Sequence, residues 1–254
     1  MPCLVRVIAQ DGVKNLAIAA FNEEYGTGLR DTIAKTASDA GVNIVYGEKD
    51  AFDPTRNELL LHRDRHQGSN PDAIAIVAFD QTKSLVKELA SQGVDTHKLY
   101  FVDGNTADHS EDLDAACSRA PRHHPRRDAS DDFQKKLVKA YGKDIDNFTY
   151  GAETYDGIIL AALAAEKGGS ADGETIQKNM AAVSGATGGD ECTTYKDCVA
   201  AIKAGKDIKY KGLTGIGAFN KNNDPSSANI GVYVFDGDNK PVFDHTQEGK
   251  VPTD

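Results

Sequence analysis

The sequence predicts an α/β protein built around a doubly wound, Rossmann-like parallel sheet. Short apolar runs at 16–21, 72–79 and 98–102 have the length of strands that are buried on both faces. Amphipathic helical patterns at 29–40 and 81–92 separate these runs. Because strands that alternate with helices at this spacing form parallel sheets, we assign the fold class on this alternation.

Residues 16–46 form one β-α-β unit, which consists of a strand, a turn, a helix and a second strand. Residues 22–28 make a turn with two glycines at its helix end, and residues 42–46 make the next strand after a natural helix stop at Gly41. A right-handed crossover places the 22–28 turn at the carboxyl end of the sheet, where ligands of open α/β sheets bind. We therefore expect a ligand site near this turn.

The remaining elements follow in order along the chain. Residues 56–67 occupy the place of a crossover helix, and the regular alternation stops after residue 113. The 148–166 segment is apolar almost all round, so we expect it to pack between other elements. Downstream of 113, the sequence predicts helices at 130–141, 148–166, 173–183 and 199–203, and strands at 213–219, at 230–235 and near Val242.

Composition excludes several classes of protein. The 254 residues carry a net charge of -10, and an acidic chain is a poor partner for nucleic acid or an anionic membrane. No apolar run approaches the roughly 20 residues of a membrane span. The first six residues have no apolar signal core, so we expect no export signal in the chain as given.

Two of the four cysteines lie close together in a polar loop. Cys192 and Cys198 are six positions apart, and a zinc site would need two further ligands that the nearby sequence lacks. We therefore favour a short disulfide over a pair of free thiols, which implies an oxidising compartment. Cys3 and Cys117 have no evident partner.

No motif in the sequence indicates catalysis, a cofactor or a metal. Gly26 and Gly28 lack the third glycine of a dinucleotide fingerprint and the Lys-Ser/Thr pair of a P-loop. No Ser-His-Asp or Cys-His arrangement stands where it would activate a nucleophile. The acidic turn at 236–239 supplies too few ligands for calcium, and we interpret it as a hairpin turn. We expect a protein that is not an enzyme.

Short motifs follow one another in a characteristic order between about residue 11 and residue 240. They are Lys14-Asn-Leu-Ala-Ile, Glu24-Tyr-Gly-Thr-Gly-Leu29, Asn70-Pro-Asp-Ala-Ile74, Asp103-Gly104, Glu153-Thr-Tyr-Asp-Gly157, Tyr210-Lys-Gly-Leu-Thr-Gly215 and Gly231-Val-Tyr-Val-Phe-Asp236. In this order they resemble the extracytoplasmic solute-binding proteins of branched-chain amino-acid ABC transporters. The resemblance implies the type I periplasmic-binding fold, also called leucine-binding or receptor-family ligand-binding.

The resemblance also implies how the chain divides into lobes. Such proteins have two lobes joined by three crossovers, and this chain resembles an N-terminally truncated member. Residues 1–120 with 215–254 correspond to a nearly complete second lobe, and 121–214 to a partial first lobe of mostly helices with the cysteine loop. The apolar 148–166 helix would then lack its main partner, so we expect an exposed apolar patch and a tendency to aggregate or remain partly molten.

Five residues are candidates for the ligand site by this resemblance. The Tyr25 ring would cover the ligand's side chain, with the N–H groups of Gly26 and Thr27 as anion donors. Phe79 would pack on the ligand, and the Asp103 carboxylate would accept its ammonium group. Tyr155, at the start of the apolar helix, would line the same cleft. The alternatives are a turn tyrosine, core packing, an ordinary Asp-Gly turn and, for the acids beside Tyr155, a helix-dipole role.

The resemblance implies a function in transport. We expect a substrate-binding component of an ABC importer, without a cofactor, which closes its two lobes over a branched-chain or other small amino acid and then docks on the membrane permease. It implies a location outside the cytoplasm, in the periplasm or at the cell surface. The alternatives are a ligand-sensing module of a receptor or regulator on the same fold, a nucleotide-dependent α/β enzyme, and a truncated remnant that binds nothing.

Three windows, 1–9, 56–67 and 117–127, depart from the family pattern. Eight of the nine arginines fall in them, while the rest of the chain uses mainly lysine for its basic charge. One hypothesis is that these windows are translated in a shifted reading frame, and inspection of the coding DNA would decide it. The alternative is that they are genuine surface loops of unusual composition.

Overall fold

The computed structural model describes residues 2–53, 71–113, 121–124, 130–145 and 148–250. The chain forms two compact units. The first, which we call the sheet unit, consists of Met1–Pro125 and Ile230–Gln247. The second, the helical unit, consists of Arg126–Asn229 and Glu248–Asp254. The predicted division into a second lobe (1–120 with 215–254) and a partial first lobe stays a prediction.

In the described residues of the sheet unit, helices lie between most of the successive strands, and the unit ends in a hairpin. In chain order they are α1 (Pro2–Gln10), β1 (Asn15–Ala20), α2 (Glu24–Asp39), β2 (Asn43–Tyr46), β3 (Ala73–Val77), α3 (Gln81–Ser91), a short 3₁₀ turn (Thr96–Lys98), β4 (Leu99–Phe101), a second 3₁₀ turn (Asp103–Asn105), β5 (Pro121–His124), β8 (Ser227–Phe235) and β9 (Pro241–Lys250).

The central sheet is parallel, as the sequence predicts. Its strand order is β2-β1-β3-β4. In register, Ile18 lies opposite Ala75, and Ile74 lies opposite Leu99. The residues of β3 and β4 are buried throughout, because helices cover both faces of the sheet. This confirms the doubly wound α/β class.

Alternate residues of β1 feed two separate cores. Leu16 and Ile18 face the core that includes Ile33 of α2, and Ala17 and Ala19 face the core that includes Leu85 of α3. Successive side chains of a strand point to opposite faces of the sheet, so one short apolar strand serves both layers.

Residues Pro2–Gln10 form a regular packing helix. Leu4, Val5 and Ile8 of α1 are buried in the same core as Leu16, whereas Arg6 is exposed. This spacing is that of an amphipathic helix, and the reading-frame hypothesis for window 1–9 stays a prediction. Window 56–67, with the predicted crossover helix, lies outside the described residues, and so does all of window 117–127 except β5.

A second, smaller sheet contains β5, β8 and β9 in the order β5-β8-β9. Strand β5 pairs antiparallel with β8, with Arg122 opposite Tyr233. The turn between β8 and β9 contains Asn239 at φ 60°, a left-handed conformation that asparagine tolerates better than most residues. The structure therefore has the predicted turn at 236–239.

The helical unit is a layer of helices beside a very short sheet. Its elements are α4 (Asp131–Tyr141), α5 (Gly151–Gly168), α6 (Gly173–Val183), β6 (Asp190–Cys192), α7 (Tyr195–Lys203) and β7 (Ile208–Tyr210). Strands β6 and β7 are parallel, and Glu191 lies opposite Lys209.

The core of the helical unit forms around α5. Leu160, Leu163 and Ala164 of that helix pack with Val183 of α6 and Ile208 of β7. Elsewhere on α5, Tyr155 is 42% exposed and Ile158 is 63% exposed. The expected apolar exposure on this helix is therefore present, while the expected aggregation stays a prediction.

The predicted strand at 213–219 is wrong. The N–H groups of Leu213 and Thr214 donate to the Asp156 carboxylate, at 3.0 and 2.8 Å, in place of a strand partner. Within 213–219 only Phe219 makes an isolated bridge, with Pro225. Strands β6 and β7, at three residues each, are too short to show a period of two in the sequence.

The predicted disulfide is formed. Cys192, at the end of β6, is bonded to Cys198 of α7, with their Cα atoms 5.4 Å apart. Cys3 is a buried free thiol, and Cys117 lies outside the described residues. In the part of the chain that the structure describes, no helix has the length and apolar character needed to cross a membrane.

Candidate functional site

The carboxyl ends of three parallel strands bring the candidate residues together. Phe21 directly follows β1, Phe79 follows β3 by two residues, and Asp103 follows β4 by two residues. Tyr25 lies in the first turn of α2, which begins at the same end of the sheet. Because the carboxyl ends of parallel strands share one edge, residues distant in sequence become neighbours.

Tyr25 contacts the neighbouring candidate residues through both its ring and its hydroxyl. The hydroxyl donates to Oδ1 of Asp103 at 2.5 Å and accepts from the N–H of Gly104 at 3.2 Å. The ring stacks on Phe79, with centroids 4.8 Å apart and planes inclined by 21°. The hydroxyl contacts hold the ring in place, so that Tyr25 joins the acid and the aromatic surface.

Phe21 packs against the rings of Tyr25 and Phe79 from the buried side. Its ring meets Phe79 edge-on at 5.3 Å and lies 6.1 Å from the ring of Tyr25. Phe21 is buried, whereas Phe79 is 44% exposed. We call the set Phe21, Tyr25, Phe79, Asp103 and Gly104 the aromatic–acid cluster. It presents an apolar ring surface beside one carboxylate.

Two glycines permit the close packing of this cluster. A Cβ atom at Gly26 would collide with the carbonyl oxygen of Phe21. A Cβ atom at Gly104 would lie 2.6 Å from a ring carbon of Phe79 and 3.0 Å from the hydroxyl oxygen of Tyr25. Both positions therefore need a residue without a side chain if the rings are to stay where they are.

The expected role of Thr27 as an anion donor is wrong. Its N–H donates to the carbonyl of Glu23 at 2.9 Å, within the first turn of the helix. At Gly26 the helix lies so close to Phe21 that a Cβ atom would collide with its carbonyl oxygen. The assignment of Gly26 as a ligand-binding residue stays a prediction, as do those of Tyr25, Phe79 and Asp103.

Tyr155 belongs to the helical unit. It lies on α5, is 42% exposed, and its ring meets Phe133 of α4 edge-on at 5.2 Å. Its predicted part in ligand binding stays a prediction.

The neighbour of Tyr155, Asp156, is buried and accepts from several donors. The hydroxyl of Tyr210 donates to it at 2.9 Å, the N–H of Leu213 at 3.0 Å, and the N–H and hydroxyl of Thr214 each at 2.8 Å. Burial, together with this bond, raises the pKa of Tyr210. Asp156 therefore ties the 210–214 segment to α5.

The opposite edge of the sheet has a cavity of about 440 Å³ lined in part by Asp11, Asp72 and Tyr100. The Asp72 carboxylate accepts from the N–H groups of Asn15 at 2.8 Å and Lys14 at 3.0 Å, and these bonds lower its pKa. The Tyr100 hydroxyl donates to Asp11 at 2.6 Å. These polar groups join strand ends to neighbouring loops, so we give the cavity no ligand role.

Metal binding finds no support in the described part of the chain, where no three His, Cys, Asp or Glu side chains form a group able to hold an ion.

Sequence reasoning missed Phe21 as a member of the cluster. It ends an apolar strand and looks like an ordinary core residue. The signal that identifies it is its place directly after β1, at the edge where Phe79 and Asp103 also lie.

Several solved structures resemble this one. The leucine-binding protein LivK of Thermotoga maritima superimposes with a TM-score of 0.68 at 17% sequence identity, over 96% of this chain and 65% of that chain. A solute-binding protein of an ABC transporter from R. palustris, in complex with benzoate, gives 0.65 at 13% identity, over 99% and 63%. The branched-chain amino acid transporter substrate-binding protein LivJ of Streptococcus pneumoniae, in complex with isoleucine, gives 0.64 at 16% identity, over 98% and 64%.

This chain therefore has the type I periplasmic-binding fold and spans less than two thirds of the length of these solved relatives. A search of curated protein sequences finds no match to it. A family model, described as periplasmic binding protein, matches residues 1–228. The chain belongs to the periplasmic binding protein family.

Proposed function

We propose that this chain is a substrate-binding component of an ABC importer and that the aromatic–acid cluster contacts a small amino acid. The observation that carries the proposal is the Asp103 carboxylate beside the half-exposed ring of Phe79, at the carboxyl edge of the parallel sheet. An ammonium group that leaves water needs a charged acceptor, and an apolar side chain gains by covering a ring.

The charge of Asp103 separates two classes of ligand. The solved relatives include one in complex with isoleucine and others in complex with benzoate and 4-hydroxybenzoate. A second carboxylate close to Asp103 is disfavoured by like-charge repulsion, whereas a cationic amine is attracted. The cluster therefore favours an amino acid over an aromatic acid.

The wider process is part of the same proposal. The protein acts outside the cytoplasm, closes over its ligand and delivers it to the membrane permease, without carrying out a reaction. Membership of the periplasmic binding protein family supports this, and so does the disulfide, since disulfides persist in oxidising compartments.

Thermal unfolding with a ligand panel tests the proposal. We expect leucine, isoleucine or valine at millimolar concentration to raise the melting temperature, because a ligand that binds only the folded state stabilises it. Benzoate and 4-hydroxybenzoate should leave it unchanged. Asp103→Asn, which keeps the shape and removes the charge, should abolish the shift.

The matched control is Asp80→Asn, which removes the same charge from an exposed carboxylate just before α3. It should keep the ligand response of the natural sequence. An unchanged response in Asp103→Asn would remove that residue from the site. No response to any amino acid, together with binding of a hydrophobic dye to the native protein, would favour a remnant that binds nothing.

A further inference from the structure

The buried side-chain amide of Asn105 contacts three separate segments around the cluster. Asn105 ends the Asp103–Asn105 turn and is 2% exposed. Its Oδ1 accepts from the N–H of Val102 at 2.7 Å. Its Nδ2 donates to the carbonyl of Ile76 at 3.0 Å and to the hydroxyl of Thr82 at 2.9 Å. Strand β3, helix α3 and the end of β4 thus meet at one amide.

These contacts bracket both residues that would face a ligand. Ile76 and Thr82 lie three residues before and three residues after Phe79, so the amide holds both ends of the turn that carries the ring. Val102 and Asn105 lie on either side of Asp103, so the same amide holds the turn that carries the carboxylate. The Asn105 side chain therefore ties the turn of the ring to the turn of the carboxylate, in addition to the direct contacts that Tyr25 makes with both.

We propose that Asn105 is the positioning residue of the ligand site, an inference that rests on the proposed function of the aromatic–acid cluster. The distance between an ammonium acceptor and an apolar surface decides which ligand length fits. The amide supplies two N–H donors and one acceptor at this place, whereas a hydroxyl has one proton to donate, a carboxylate has none, and an alkyl side chain neither donates nor accepts. Thr82, which is fully buried, completes the contact.

Two site variants and two controls test the proposal. Asn105→Asp keeps size and shape but turns a carboxylate towards two acceptors, and Thr82→Val removes one acceptor at constant shape. Thr82→Ser restores the hydroxyl. Asn239→Gly removes an equally buried amide of the sheet unit, which donates to the carbonyl of Leu113 at 2.8 Å, at a position whose φ of 60° suits glycine.

The first measurement needs no ligand. Cross-relaxation in NMR between the rings of Tyr25 and Phe79, 4.8 Å apart, reports the geometry of the cluster directly. We expect it to weaken in Asn105→Asp and Thr82→Val and to persist in Thr82→Ser and Asn239→Gly. The second measurement is leucine affinity by calorimetry, which should fall by about tenfold or more in the first pair only.

The outcomes separate the two proposals. Unchanged ring contacts and unchanged affinity in Asn105→Asp, beside a lowered melting temperature, would overturn the positioning role. If Asn105→Asp does not fold, Thr82→Val decides in the same way. If the natural sequence binds no amino acid but its ring contacts still respond to these variants, the proposed function fails and the positioning of Phe79 against Asp103 stands.

Discussion

Tyr25 makes two kinds of contact that a single substitution can separate. Its hydroxyl bonds Asp103 and Gly104, and its ring stacks on Phe79. We expect Tyr25→Phe to keep the stacking and lose the hydroxyl contacts, which weakens amino-acid binding by roughly tenfold, or about 1.4 kcal/mol. Calorimetric titration measures the change.

The comparison for that variant is Tyr25→Ala, which removes the ring as well and should weaken binding further. Equal affinities of Tyr25→Phe and the natural sequence would show that the hydroxyl has no part in binding.

Tyr210 gives the helical unit a dependence on alkaline pH. Burial, and then its bond to Asp156, raise its pKa in the folded state. An unfolded tyrosine ionises near pH 10, so above that pH the unfolded state loses a proton that the folded state keeps. The stabilisation is complete below about pH 10 and is lost as pH rises through the folded pKa. Urea unfolding between pH 8 and 11 measures it.

Tyr210→Phe should remove this part of the alkaline loss, because phenylalanine has no proton to release. An identical pH profile for the variant and the natural sequence would contradict the prediction.

At the level of residues, the sequence identifies those with a local signal and misses those defined by long-range contacts. Tyr25, Phe79 and Asp103 stand at the end of an apolar run or within four residues after one, and the structure brings all three together. Asn105 looks like a turn residue, because its partners Ile76 and Thr82 lie 29 and 23 positions away. The part that each residue plays in binding stays a prediction.

Among the elements, the Cys192–Cys198 bond fixes the end of β6 to α7 in the core of the helical unit. Closing a loop of this length removes freedom from the unfolded chain, so we expect its reduction to lower the free energy of unfolding of this unit by about 2 kcal/mol. Urea titration with and without a reductant measures the loss.

The double variant Cys192→Ser with Cys198→Ser should show the same lowered stability and no response to the reductant. A response that persists in this variant would assign the effect to another cysteine.

Elements with a clear hydrophobic pattern are predicted well. Very short strands, and segments whose backbone N–H groups donate to a side chain, are not. The parallel strands appear in sequence because both faces are buried, which makes them continuous apolar runs. The segment 213–219 has the composition of a strand, but its backbone groups at Leu213 and Thr214 are satisfied by Asp156, which no local pattern reveals. Helix α1 was not predicted, although Leu4, Val5 and Ile8 have helical spacing.

For the whole molecule, two compact units with separate cores predict two steps of unfolding. We expect a reductant to shift only the step of the helical unit, and Asn239→Gly to shift only that of the sheet unit. Hydrogen exchange followed residue by residue during a urea titration assigns each step. A single cooperative transition, shifted as a whole by both changes, would contradict this.

Fold class is the level at which the sequence is most informative. Strand and helix alternate regularly, and the motifs from Lys14 to Asp236 follow the order of the family, so composition and order together suffice for the architecture. The same sequence patterns do not show which apolar surfaces of the chain stay exposed. The chain spans less than two thirds of the length of its solved relatives, and the exposure of Ile158 on α5 is a property of packing that only the structure displays.

Gly26 and Gly104, the two glycines that permit the packing of the cluster, differ in how readily they can be substituted. At Gly26 a side chain would collide with the main-chain oxygen of Phe21, which cannot move unless the strand moves. We therefore expect related sequences to keep glycine at this position. At Gly104 the obstacle is the edge of one ring and the hydroxyl of another, both on side chains that can turn aside. A single-codon change at Gly104 is thus an accessible route to a new ligand preference, because it would move the rings of Phe79 and Tyr25 without replacing either of them.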